Sequence, residues 1–147
     1  MASVVIAGKT CGERLSAPVM RIDPIPAPRP IDDNPDNWGY QPTLPAGRWA
    51  IDPHPVSWRG DRDGPPTSTL GCFVINPVDA RPLLPHPDAR RSSGCCGHDG
   101  LDGPNLLCPN CLASIATLRN DCWTMLETRF EPDLVTLVHV NDVSERS

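Results

Sequence analysis

Nineteen prolines punctuate this 147-residue chain, and sixteen of them precede residue 93. Each removes a backbone donor and holds φ near one value, so long helices are not expected in the first two thirds. What lies between the prolines reads as β. "ASVVIAGKTCGERLSAPVMRI" predicts two short strands joined by a turn at Thr10–Gly12. "GRWAIDPHPVSW" returns to strand, with Trp49 and Ile51 alternating against Arg48 and Ala50. In "STLGCFVINP" a period of two places Leu70, Cys72 and Val74 on one face. "NPVDARPLL" offers an N-cap, Asn76, then proline at the first helical position and a single turn before Pro82. The segment 23–45 is proline-rich and extended, a loop draped over the core with Trp38 and Tyr40 as anchors.

After residue 111 the character changes. "LASIATLRNDCWTMLETRF" is expected to form a hairpin turning near Arg119–Asp121, and the Val-rich "LVTLVHV" a closing strand. The fold class that follows is mostly β: one small domain over residues 1–147, with short antiparallel strands and long Pro-rich loops. Residues 1–92 form its Pro-rich β and loop part, and residues 93–147 a Cys-rich, metal-binding, zinc-ribbon-like part. Aromatic residues are only 5% of the chain, so the core is thinly supplied and a staple is wanted.

The staple is suggested by "GCCGHDGLDGPNLLCPNC", residues 94–111, with four of the seven cysteines and a histidine. Cys108-x2-Cys111 is a standard half of a zinc site, because two cysteines two apart in a tight turn aim both sulfurs at one ion. Cys95-x2-His98 has the same gap and completes a zinc-ribbon spacing. Cys96 with Cys122 is the alternative. The proposed hairpin would set Cys122 some 20 Å from Cys111, at ~3.3 Å per residue, which speaks against that pairing. Cys72 and Cys122 read as small core residues, and Cys11 by itself indicates nothing, since Gly8 stands where a CxxC pair would need cysteine.

No export signal or membrane span is visible, so a cytoplasmic location is expected, where structural disulfides are disfavoured and seven cysteines cannot all pair. Arginine outnumbers lysine twelve to one, as a GC-rich bacterial genome would give. The whole net charge of −5 sits after residue 92, which repels phosphate backbones and excludes nucleic acid as a partner. No Ser-His-Asp order, phosphate-cradling glycine loop or HExxH motif is present. Asp99, Asp102, His54 and His86 have turn or loop settings rather than catalytic ones.

The stretch "GCCGHDGLDGPNLLCPNCLASIATLRNDCWT", with "DPHP" and "LLPHPD" upstream, resembles small bacterial proteins, actinobacterial in type, of unknown function. They share G-C-C-G, D-G-x-D-G-P-N, a C-x-x-C and D-C-W-T, and the likeness covers about residues 47–138. It implies a metal-binding domain and brings Cys122 back among the ligands. His98 and Leu112 depart from its pattern, which has an apolar residue and glycine there. The expected ligands are therefore Cys108 and Cys111, one or both of Cys95 and Cys96, and Cys122, with His98 as the alternative. The expected ion is zinc, structural and saturated by thiolates. The expected function is a protein-interaction or accessory module, with a thiol-redox or metal-dependent enzyme as the competing reading.

Overall fold

A computed structural model describes residues 3–27, 29, 41–53, 71–89, 97–98, 104–121 and 124–140. Among them are nine strands: β1 (Ser3–Gly8), β2 (Val19–Arg21), β3 (Arg48–Ile51), β4 (Phe73–Ile75), β5 (Leu84–Pro85), β6 (Leu106–Leu107), β7 (Ser114–Arg119), β8 (Glu127–Phe130) and β9 (Val135–Val140). They join one sheet in the order β5-β6-β7-β8-β4-β3-β2-β1-β9. Its strand pairs are antiparallel except β2 with β3. The mostly β, single-domain expectation holds, and the strands are short, none longer than six residues among those described.

The longest ladder pairs β1 with β9 over six residues, from Ser3 opposite Val140 to Gly8 opposite Val135. Both strands are rich in valine, whose branched side chain fits a pleated surface and resists helix. The expected first hairpin is present, with Ser3 and Val4 of β1 opposite Met20 and Val19 of β2. So is the hairpin past residue 111, with Arg119 of β7 opposite Glu127 of β8. The single helical turn is a 3-10 turn over Pro77–Asp79. Asn76 caps it by accepting the Val78 N–H at 3.0 Å.

Four strands separate β7 from β1 in the sheet, yet the sheet curls so that both fill one core. Val4 and Ile6 of β1, Trp49 of β3, Ile75 of β4, Ile115 of β7 and Phe130 of β8 belong to a single buried cluster, which also takes in Cys108. Trp49 meets Phe73 edge-on, with ring centroids 5.4 Å apart. On the other face of β3 and β4, Leu44, Ala50, Cys72 and Val74 form a second cluster, and Ile22 and Ile25 lie against it. The described ends of the proline-rich segment thus do cover the core; Trp38, Tyr40 and Leu70 lie outside the described residues.

Covering both faces has a consequence for β8, all four residues of which are buried. Phe130 enters the first core, while Glu127 and Arg129 point to the covered face, where charges need partners. Arg129 donates to Glu127 and to Asp52, both at 2.6 Å. Thr43 donates its hydroxyl to the other Glu127 oxygen at 2.6 Å. Burial alone would weaken the hold of Arg129 on its proton, but the charge and hydrogen bond of Glu127, with help from Cys72 and Asp52, outweigh it, and the guanidinium stays charged. The network ties the covering segment to the sheet.

Candidate metal centre

Two turns with the same hydrogen bonding face each other. Where β1 ends, the Gly8 N–H donates to the Glu13 carbonyl at 2.8 Å and the Gly12 N–H to the Gly8 carbonyl at 2.9 Å. Between β6 and β7, the Cys108 N–H donates to the Ala113 carbonyl and the Leu112 N–H to the Cys108 carbonyl, both at 2.9 Å. Gly8 corresponds to Cys108, Cys11 to Cys111, and Gly12 to Leu112. The match extends to the backbone, with φ of 74° at Gly12 and 63° at Leu112. A left-handed residue after the second cysteine position lets each turn fold back while its amides converge on sulfur.

The curl of the sheet brings these turns together. The Sγ atoms of Cys11, Cys108 and Cys111 lie within 4.8 Å of one another, and the Cys11 and Cys108 sulfurs are 3.6 Å apart. Cys108 is buried, Cys11 half-buried and Cys111 exposed, so the cluster opens to solvent on one side. Gly8 permits the approach, because a Cβ there would stand 2.8 Å from the Cys11 sulfur.

Local amides set the protonation of these thiols. The Glu13 N–H holds the Cys11 thiol below its ordinary value, against desolvation, and Cys108, Cys111 and Asn110 assist. Burial pushes Cys108 up, opposed by the N–H groups of Cys111 and Asn110, which its sulfur accepts. Of the two, Cys11 is thus the more easily deprotonated and Cys108 the less. Three convergent sulfurs suit a thiophilic ion of the zinc type and not magnesium or calcium.

Of the expected ligands, Cys108 and Cys111 are in the cluster, and Cys95, Cys96 and Cys122 lie outside the described residues. The turn that faces Cys108 and Cys111 comes from the N-terminal hairpin, and the cysteine it contributes is one to which the sequence assigned nothing. The missed signal is Gly12, which follows Cys11 as a left-handed residue must and marks the turn even though Gly8 hides the CxxC pattern. His98 is elsewhere. Its N–H donates to Asn120 Oδ1 at 2.7 Å, and its carbonyl accepts the Asn120 and Asp121 N–H groups. Those residues follow β7 at the end away from Cys111, about 20 Å along an extended strand. The His98 Nδ1 is buried with no hydrogen-bond partner.

The remaining candidates have structural settings. Cys72 is buried in the second core cluster, its sulfur 3.7 Å from Glu131 Oε2. His86 accepts the Asp88 N–H at 3.0 Å through Nδ1. His54, Asp99 and Asp102 lie outside the described residues. Among the described residues no helix is long and apolar enough to cross a membrane. Searches of family models, curated proteins and solved structures return no match to this chain.

Proposed function

We propose that the protein is a zinc-binding module in which the ion staples the turn after β1 to the turn between β6 and β7. The observation that carries it is the convergence of the Cys11, Cys108 and Cys111 sulfurs within 4.8 Å on two turns of equivalent geometry. A metal cross-link between residues 97 positions apart removes much freedom from the unfolded chain, and a thinly supplied core benefits from it. When bound, zinc would supply coordination energy to folding. Cys108 anchors the site from inside the core while Cys11 and Cys111 close on it from the surface. The role is structural, and the module acts as an accessory or interaction unit with a protein partner.

Protein purified without chelator should carry about one zinc per chain by elemental analysis. Cys108→Ser should lose the metal and lower stability by several kcal/mol, because structural zinc binding is folding free energy. Retention of zinc and of the melting temperature by that variant would end the assignment. The 3.6 Å between Cys11 and Cys108 favours one competing reading, a dithiol that cycles to a disulfide. Metal-free protein with two fewer titratable thiols after mild oxidation would establish that instead.

A further inference from the structure

We propose that Cys11 and Cys108 are a site of oxidative modification: a hydroperoxide joins their sulfurs as a disulfide, the ion leaves, and the new bond holds the two turns together in its place. This rests on the zinc-binding reading above and specifies how the staple answers an oxidant. The two sulfurs touch at 3.6 Å although 97 positions separate them in the chain. A disulfide spans ~2.05 Å, so a closing movement of about 1.5 Å is enough, within reach of side-chain rotation. Cys111 completes the cluster within 4.8 Å, but the 3.6 Å contact is the one that runs between the turns.

Burial divides the roles. Cys11 is half-buried and Cys108 buried, so an oxidant from solvent meets Cys11, and Cys108 resolves the product from inside. The Cys11 thiolate attacks one peroxide oxygen, the O–O bond breaks, and the leaving oxygen takes up a proton. The Cys108 thiolate then attacks the sulfenic acid so formed, the S–S bond closes, and the departing hydroxide is protonated to water. Two sulfurs lose two electrons in all and the hydroperoxide gains them. The ion loses two thiolate donors at once and is released. A bond between Cys108 and Cys111 would only tie one turn to itself. The Cys11–Cys108 bond closes the same long loop as the ion, so the cross-link outlasts the metal.

The test treats the zinc-loaded full chain with hydrogen peroxide, follows zinc release with a colorimetric chelator, and maps disulfides by fragmentation mass spectrometry of peptides. About one zinc should leave per disulfide formed, and the map should join Cys11 to Cys108. Dithiothreitol with added zinc should restore the starting state. The oxidised, metal-free chain should melt above the reduced chain stripped by a chelator, because one cross-link has replaced another. Three results overturn the inference while leaving zinc binding intact. They are zinc retained in excess peroxide, release with the bond placed elsewhere (between Cys108 and Cys111, or among Cys95, Cys96 and Cys122), and an oxidised chain that melts no higher than the stripped one. A chain that carries no zinc before peroxide sinks the zinc-binding reading instead, and the same map then decides for or against the Cys11–Cys108 bond by itself.

Discussion

Gly12 and Leu112 occupy the same left-handed backbone position, and only one of them is suited to it. An L-residue with a Cβ at positive φ crowds the neighbouring carbonyl at roughly 1–2 kcal/mol, a penalty glycine escapes. Leu112 is 61% exposed, so it gains little from burial to offset that strain. Leu112→Gly should therefore leave stability unchanged or raise it by up to about 1 kcal/mol. Gly12→Leu should lower it by about 1–2 kcal/mol. Paired urea melts with metal bound would check both, and equal destabilisation by the two changes would refute the strain at Leu112. A glycine at position 112 was expected from the resemblance alone. That Gly12 is its structural counterpart was not, because the two turns share hydrogen bonds and hardly any letters.

Short elements depend on side chains to complete their ladders. Beside β6, Pro104 has no N–H to offer β7, and the side chain of Asn105 takes over: its Nδ2 donates to the Leu118 carbonyl at 3.0 Å and its Oδ1 accepts the Leu118 N–H at 2.7 Å. Asn105 is fully buried, so nothing else can replace those bonds cheaply. Asn105→Ala should cost about 1–3 kcal/mol, since it leaves two strand groups without partners. Amide exchange should localise the loss to β6 and β7. Unchanged protection of the Leu118 amide in that variant would show that the pairing carries no weight. Legibility at this level was good. Runs of branched residues marked β1 and β9, and Asn76 with Pro77 marked the single helical turn, since propensity and capping act within a few residues. The burial of β8 was not legible, because Glu127 and Arg129 read as surface until Asp52 and Thr43 are known to meet them.

Across the whole molecule, the proposed staple ties parts of the sheet that sit far apart in strand order. Removing metal from the wild-type chain with a chelator should raise amide exchange together at residues 8–13 and 108–113. The centre of the sheet, β3, β4 and β8, should keep its protection, because its two core clusters do not depend on the ion. Exchange that rises at only one turn, or everywhere equally, would contradict a local cross-link. The charge of −5, concentrated after residue 92, should also keep DNA binding negligible at ~0.15 M salt, and a tight, sequence-selective gel shift would overturn this. The sequence by itself determined the β class, the short strands, the capped turn at residues 76–79 and the placing of Cys108 and Cys111 in one turn. Each of these follows from proline placement, period-two alternation or two cysteines in one turn, all local in the chain. Only the tertiary structure decided that Cys11 joins that pair from 97 residues away, and that His98 is tied to Asn120 instead. Which distant turns meet depends on how the sheet curls around one core, and that is a sum of many weak packing terms with no local signature in the letters.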